Sequence, residues 1–276
     1  MVVIECCGGI GNQMFQYALY LKLKSLGKDV TFDSDSYTSN SVAHFELDKF
    51  GLEYDKPRIW DIVKYRTPVS KLVRDKSFQI YDEKLSVGYQ PEIYEIENGC
   101  LRGYWQCEKY FEGIEEKVRK SFVFPDNNDA EFQKIMMKIQ NTNSTSVHIR
   151  RGDYLIPENA RKYSGICTME YYVAAMNYIR DMFPDTTFFF FSDDIEWVRN
   201  NLYRDGDDVV DCNHGENSFF DIFLMSQCKN NIIANSSFSW WGAWLNSRND
   251  KVVVSPRRWF KHLDVADAIC DSWIKV

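Results

Sequence analysis

Short apolar runs recur along the second half of the sequence, and most are followed by a segment with helical spacing of apolar residues. The runs lie at residues 147–150, 187–191, 209–210, 232–234 and 252–254. The helical patterns cover residues 168–183, 195–202, 219–228 and 240–245. Repeated strand–helix units imply a parallel sheet with helices on both faces.

The first half opens with a similar unit. Residues 2–6 form an apolar run, residues 12–26 have helical spacing that ends at Gly27, and residues 30–32 form a second short strand. Residues 34–140 carry scattered aromatic residues and prolines, and we expect several short helices there. The polar stretch NTNSTS at 141–146 is typical of a segment between domains. The pattern therefore predicts an α/β protein with two Rossmann-like lobes, 1–140 and 141–261, and leaves open whether 262–276 crosses back to the first lobe.

Composition narrows the function classes. The 276 residues are 45% apolar and 16% aromatic, so the chain can bury a core, and its net charge of −7 disfavours a broad nucleic-acid surface. The start of the chain lacks a basic region, and no run reaches the ~20 apolar residues that span a bilayer. The eight cysteines form no CxxC pair, which favours a reducing compartment. We expect a cytoplasmic protein, either free or peripheral at a membrane.

Polar residues follow the predicted strands of the second half. Ligands of open α/β sheets bind beyond the carboxyl ends of the strands, so these residues are candidates for a site. The three clusters are His148, Arg150, Arg151 and Asp153; Ser192, Asp193 and Asp194; and Ser236, Ser237 and Ser239.

Two of these clusters suit an anionic ligand. The guanidinium groups of Arg150 and Arg151 can each bind two phosphate oxygens, whereas the alternative for Arg151 is a surface ion pair with Asp153. Ser236 and Ser237 precede a predicted helix whose free N–H groups can bind an anion, although ordinary N-capping explains them equally well.

Other residues allow more than one interpretation. Asp221 lies in an otherwise apolar helix, where it could accept two hydrogen bonds from guanine or form a salt bridge. Asp33 and Asp35 form a DxD pattern, which holds a divalent cation in one class of sugar-nucleotide enzymes. The tryptophans at 240, 241 and 244 are interpreted as core residues rather than a sugar platform.

The stretch GGIGNQM at 8–14 resembles a nucleotide-binding turn but departs from the known ones. Met14 occupies the place of the third small residue of a dinucleotide fingerprint, and no Lys-Ser/Thr pair follows as in a phosphate loop. What remains is a glycine turn with two amides, Asn12 and Gln13, at a helix N-terminus. They could bind a phosphate or a sugar hydroxyl.

Five segments together resemble the bacterial-type GDP-fucose α-1,2-fucosyltransferases of glycosyltransferase family 11. They are, in order along nearly the whole chain, GGIGNQMFQYA, GYWQCEKYF, VHIRRGDY, FFFFSDDIEWV and NIIANSSFSWWGAWLN. The resemblance implies a GT-B architecture with a cleft between the lobes, GDP-fucose as donor, a terminal β-galactoside as acceptor, and no metal or other cofactor.

A weaker resemblance to α-1,6- and protein O-fucosyltransferases implies roles for individual residues. By this analogy Arg150 and Ser237 face the β-phosphate, while Asn12 and Gln13 approach the donor from the first lobe. The guanine would face His148 and Asp221.

The implied reaction inverts the anomeric carbon. Arg150, assisted by Arg151 and the helix that begins near Ser237, would stabilise the charge of departing GDP. The base would be Asp153 or Glu158, or none would be needed. Residues 34–110 would shape the acceptor pocket, most directly through Tyr104, Trp105 and Gln106.

Three other functions stay open. They are a metal-dependent sugar-nucleotide transferase that uses Asp33 and Asp35, a non-catalytic glycan-binding module suggested by the many aromatic residues, and a nicotinamide dehydrogenase. The sequence predicts neither the acceptor glycan nor the oligomeric state.

Overall fold

The computed structural model describes residues 1–37, 43–86, 88–263 and 267–276, without the side chains of Asp153 and Glu158. The chain forms two compact units, Met1–Val123 and Phe124–Val276. The division lies earlier than the predicted boundary at 140. Helix 130–141 belongs to the second unit because Phe132 packs its ring against Phe220 at 5.4 Å.

The first unit is built on a four-stranded parallel sheet with the strand order β2-β1-β4-β3. Its strands are β1 (Val2–Glu5), β2 (Val30–Asp33), β3 (Gln79–Asp82) and β4 (Gly99–Arg102). Its α-helices are α1 (Ile10–Ser25), α2 (Ile59–Arg66), α3 (Ser70–Val73) and α4 (Glu115–Ser121). The glycine turn at 8–9 leads from β1 into α1, as predicted.

The second unit contains a six-stranded parallel sheet with the order β10-β9-β8-β5-β6-β7. The strands are β5 (Asn143–Ile149), β6 (Thr186–Ser192), β7 (Asp208–Val210), β8 (Asn230–Ile232), β9 (Val253–Ser255) and β10 (Ile274–Lys275). The helices are α5 (Ala130–Asn141), α6 (Pro157–Tyr163), α7 (Met169–Met182), α8 (Ile195–Asn201), α9 (Phe220–Gln227) and α10 (Ser237–Leu245). The α/β class with parallel sheets is confirmed.

Both faces of the second sheet are covered. The four phenylalanines 188–191 of β6 point alternately to opposite faces, yet all four are fully buried. Trp240, Trp241 and Trp244 are also buried, as predicted for core residues. Trp240 donates its indole N–H to the carbonyl of Ala268 (2.7 Å) and packs against Trp273.

Two segments differ from the prediction. NTNSTS does not separate domains, because residues 143–146 begin the central strand β5. Its buried hydroxyls are paired: Thr145 with Thr186 (2.8 Å), and Ser146 with the amide of Asn231 (2.7 Å). The chain end at 274–275 extends the second sheet beside β9 and does not join the first sheet.

Candidate functional site

Arg150 lies immediately after β5, at the carboxyl edge of the second sheet. Its Nη1 is 3.1 Å from Asp193 Oδ2, and its side chain is 36% exposed. Its guanidinium carbon lies 6.0 Å from the centre of the Tyr154 ring. The half-exposed guanidinium is therefore held in place from one side and accessible to an anion from another.

The carboxylate of Asp193, which follows β6, shapes the loop that carries this arginine. Asp193 accepts hydrogen bonds from the backbone N–H groups of Arg151 (2.9 Å) and Gly152 (3.1 Å). A side chain at Gly152 would place its Cβ 2.8 Å from Asp193 Oδ2, so any other residue there would displace the Asp193 carboxylate. Asp193 thus positions Arg150, and its direct contact with a bound ligand stays a prediction.

Arg151 faces helix α8. Its Nε donates to Asp194 Oδ2 (2.9 Å), and its guanidinium stacks 4.3 Å from the centre of the Trp197 ring. Asp194 also caps α8 by accepting from the backbone N–H of Trp197. This pair with Asp194 makes Arg151 a weaker candidate than Arg150 for a phosphate.

His148 is buried at the end of β5. Its Nδ1 has no hydrogen-bond partner among the described residues, and its ring lies 5.6 Å from that of Phe238 on α10. Burial, with a smaller contribution from the Arg150 charge, lowers its pKa to about 3. The imidazole is therefore neutral near pH 7 and has an unsatisfied nitrogen that a ligand could pair.

Asp221 lies in the first turn of α9. Its Oδ1 accepts a hydrogen bond from Asn213 Nδ2 (2.7 Å). Burial raises its pKa to about 7, against the opposing effect of Asn213. A carboxylate so poorly solvated gains much from further donors, which suits the predicted pair of hydrogen bonds from a guanine edge.

The N-terminus of α10 has donors that no serine side chain uses. Ser236 occupies the N-cap position in an extended conformation, but its side chain makes no capping hydrogen bond. The hydroxyl of Ser239 instead donates to the carbonyls of Ala234 and Ser236. Ordinary side-chain capping is thus not the role of Ser236, and the first turn from Ser237 can receive an anion.

Tyr154 and Asn235 connect these loops, and the sequence analysis did not single them out. Tyr154 donates its hydroxyl to the carbonyl of Asn235 (2.7 Å). Asn235 Nδ2 donates to the carbonyls of Tyr163 and Trp259 (both 3.2 Å). The position of Asn235 after β8 was a signal in the sequence. A sequence does not distinguish a buried asparagine that bridges two loops from an ordinary loop asparagine.

A cavity of about 430 Å³ lies beyond the carboxyl end of β9. Arg257, Arg258, Lys261 and His262 contribute to its lining. Because parallel strands end at the same edge, this cavity shares the sheet edge with Arg150. The sequence analysis missed it because its basic residues are spread over an irregular loop.

In the first unit, Gln13 has a structural role. It is buried, its Nε2 donates to the carbonyls of Gly8 (2.9 Å) and His44 (2.8 Å), and its Oε1 accepts from the N–H of Glu46. Both amide N–H donors of Gln13 are used, which favours a structural role, and the contact with the donor stays a prediction. Gln16, not considered before, likewise donates to the carbonyls of Cys7 and Gly103.

Asn12 and Gln106 meet at the carboxyl edge of the first sheet, where Gln106 Nε2 donates to Asn12 Oδ1 (2.6 Å). Gly8 has a φ of +76°, and a Cβ there would lie 3.1 Å from the Tyr104 ring. Asn12, Tyr104 and Gln106 are partly exposed and can form one polar surface. Trp105 is fully buried, with a backbone φ of +56°, so its contact with the acceptor stays a prediction that the burial of its side chain disfavours.

The carboxylates of the DxD pattern already form ion pairs with basic side chains. Asp33 is buried and accepts from Tyr65 (2.6 Å) and from Arg66, while Asp35 pairs with Lys56 at 3.1 Å. The arrangement favours structural ion pairs over a cation site. The predicted bases Asp153 and Glu158 have side chains that lie outside the described part of the structure, although their backbones begin a 3-10 turn and α6.

The structural role of Gln13 predicts a stability effect. Replacing Gln13 by leucine removes the hydrogen bonds to the His44 carbonyl and from the Glu46 N–H, while the Gly8 carbonyl keeps the Tyr37 hydroxyl as a donor (2.7 Å). We therefore expect the free energy of unfolding to fall by about 2 kcal/mol. Urea unfolding of the variant measures the loss. Gln106→Leu, which removes a more exposed amide, is the control and should lose less; equal stability of Gln13→Leu and the native chain would contradict the assignment.

Comparison with known proteins places these residues in context. The family model described as glycosyl transferase family 11 matches residues 1–275. The O-antigen biosynthesis glycosyltransferase WbnK of Escherichia coli is 36% identical, over 98% of both chains. An alpha-1,2-colitosyltransferase of Escherichia coli is 35% identical, over 100% of this chain and 99% of its own.

More distant similarities extend to other organisms. The galactoside alpha-(1,2)-fucosyltransferase 1 of Saimiri boliviensis boliviensis is 25% identical over 86% of this chain, which spans 63% of that protein. The crystal structure of the fucosyltransferase NodZ from Bradyrhizobium aligns with a TM-score of 0.49 at 12% identity, over 87% of this chain and 90% of its own. Within the described part of this chain, no helix has the length and apolar character to cross a membrane.

Proposed function

Because the chain belongs to glycosyl transferase family 11, we propose that it transfers L-fucose from GDP-β-L-fucose to the 2-hydroxyl of a terminal β-galactoside, with inversion. The observation that carries the proposal is Arg150, which Asp193 holds at the carboxyl edge of the sheet (3.1 Å) beside the neutral His148. A preformed cation at that edge suits a departing diphosphate.

The bond that breaks joins the anomeric carbon of fucose to an oxygen of the β-phosphate. Negative charge then grows on that phosphate, where the Arg150 guanidinium can donate two hydrogen bonds. The N–H groups at the start of α10, at Ser236 and Ser237, can bind a second phosphate oxygen. These donors are held in place before the reaction and need little reorganisation.

The nucleoside would be recognised at the same edge. Guanine presents two neighbouring N–H donors, and the Asp221 carboxylate can accept both. His148 Nδ1, buried without a partner, can form one further hydrogen bond to the donor. Asn12 of the first unit stays a candidate for the fucose or phosphate, and Tyr104 and Gln106 stay candidates for the acceptor.

We further propose that no metal or other cofactor is needed. One support is that Arg150 and Arg151 lie at the carboxyl edge of the second sheet. The other is that Asp33 and Asp35 already form ion pairs with Arg66 and Lys56. Mass spectrometry of product formed from GDP-fucose and a panel of β-galactosides, with linkage analysis, tests the function. Transfer should survive excess EDTA; its abolition by EDTA and restoration by Mg²⁺ or Mn²⁺ would overturn the metal-free mechanism.

A second candidate donor is favoured by a specific comparison. The colitosyltransferase relative is 35% identical along the whole chain, and colitose is fucose without one hydroxyl. Competition between GDP-fucose and GDP-colitose in one reaction gives the ratio of the two kcat/KM values directly. A ratio in favour of GDP-colitose would replace fucose with colitose and leave the roles of the protein residues unchanged.

The general base would accept the proton of the acceptor hydroxyl, and Asp153 and Glu158 are its two candidates. General-base assistance contributes about 10²–10⁴-fold to rate, so loss of the true base by Asp153→Asn or Glu158→Gln should lower kcat on that scale. The affected variant should keep its GDP affinity, which calorimetry measures. Full activity of both variants would show that neither carboxylate is the base and would favour a transition state that needs none.

A further inference from the structure

One surface of the first unit exposes several large apolar side chains close together. Helices α2 and α3 contact each other, and the surface formed by residues 59–73 is here named the α2–α3 surface. Ile59 is 77% exposed, Trp60 79% and Leu72 85%, and Val69 and Val73 are about half exposed. Isolated exposed apolar residues are ordinary on proteins, but a group of this density marks an interaction site.

The packing of α2 explains why these side chains do not serve the core. Ile62 and Tyr65 of α2 pack against Val3 of β1 and against Phe78, which directly precedes β3. Trp60, which precedes Ile62 at the start of the helix, faces solvent instead. Burying it in a partner would therefore leave the internal packing of the unit intact.

The same stretch is basic in an acidic chain. Residues 56–76 contain seven Lys and Arg residues and two Asp residues, whereas the whole chain has a net charge of −7. Lys56 and Arg66 pair with Asp35 and Asp33, and Arg58 and Lys64 share Asp61. With Asp75, four carboxylates accompany the seven cations, so this stretch keeps an excess of positive charge.

We propose that the α2–α3 surface binds an anionic phospholipid bilayer. Tryptophan prefers the boundary between lipid headgroups and acyl chains, and aliphatic side chains gain free energy when they enter that boundary. Each Lys or Arg near an anionic surface adds attraction that salt weakens. Charge complementarity selects a bilayer over a neutral apolar partner, and the proposal does not depend on which sugar the enzyme transfers.

Vesicle sedimentation tests the proposal with the full-length protein. The native chain should bind vesicles of phosphatidylcholine and phosphatidylglycerol in equal parts, and should bind phosphatidylcholine vesicles far less. The double variants Trp60→Ser/Leu72→Ser and Lys71→Gln/Lys76→Gln should each lower the partition coefficient about tenfold or more. Circular dichroism confirms that the variants fold, which the exposure of all four residues favours.

Matched controls remove the same groups elsewhere in the first unit. Val123→Ser removes a 66% exposed apolar side chain, and Lys117→Gln/Lys120→Gln removes two exposed cations of α4. Both controls should bind vesicles as the native chain does. Loss of binding in the controls to the same degree would show an unspecific charge effect and would overturn the proposal.

Fluorescence gives a second readout that does not depend on affinity. Brominated lipids should quench the native protein, and Trp60→Phe should lose that quenching while it still binds the vesicles. Unchanged quenching in Trp60→Phe would place another tryptophan at the membrane and overturn the assignment. A native protein that ignores vesicles but forms a dimer, which Trp60→Ser/Leu72→Ser converts to a monomer, would show that the surface joins two copies instead.

Discussion

Replacing Arg150 by alanine is expected to lower kcat for fucose transfer by about 10²–10³-fold, the usual effect of losing one preorganised charge contact. The affinity for GDP should fall as well, because under the proposed function the guanidinium would contact the diphosphate in both the bound and the departing state. Steady-state kinetics and calorimetry with GDP measure the two effects. The loss should exceed this range if Arg150 is the main contact to the β-phosphate.

Two further variants make the result specific. Arg150→Lys keeps the charge but cannot donate two parallel hydrogen bonds, so it should recover only part of the rate. Arg248→Ala is the matched control, because Arg248 is also partly exposed and also pairs with an aspartate, Asp250, at 2.8 Å. Near-normal turnover of Arg150→Lys, or an equal loss in Arg248→Ala, would contradict the proposed role.

GDP affinity should rise with pH through about 7, because Asp221 must be ionised to accept the guanine N–H donors. Burial raises the pKa of Asp221 to about 7 from its ordinary value of 3.8. The folded protein without ligand therefore binds a proton that the unfolded chain has lost. The contribution of Asp221 to the stability of the folded protein is fully present below pH 3.8. It falls as the pH rises towards 7 and is then constant.

Asp221→Asn should change stability and GDP affinity in opposite directions. The free variant should be more stable than the native chain at pH 8, since asparagine cannot ionise, while its GDP affinity should be about tenfold to a hundredfold lower. The pH dependence of GDP binding near 7 should disappear. Asp211→Asn, which removes a neighbouring charge, is the control and should keep the GDP affinity; a pH-dependent affinity in Asp221→Asn would assign the titration to another group.

Sequence periodicity predicted most of the second sheet because its strands are apolar on both faces. Phe188–Phe191 can only be a buried strand, and a parallel sheet then places Arg150 and Asp193 at the same edge. The tryptophans of α10 were interpreted as core for the same reason. Charge chemistry and topology together made Arg150 the leading candidate, and its role stays a prediction.

Other features of the structure have physical causes that a sequence does not show. Ser146 and Asn231 satisfy each other inside the sheet, so a polar stretch became a central strand instead of a linker. Gln13 was interpreted as a ligand contact because its partners, the carbonyls of Gly8 and His44, are backbone groups that no side-chain pattern reveals. Trp105 was placed at the acceptor because its left-handed backbone turns an exposed-looking position inward.

The contact between Arg150 and Asp193 has a consequence for the end of the catalytic cycle. The aspartate that aims the guanidinium also repels any diphosphate that arrives beside it, so under the proposed mechanism the spent nucleotide is held less tightly than a bare arginine would hold it. The same carboxylate that prepares the site thereby helps to empty it, and turnover need not wait on a tightly retained by-product.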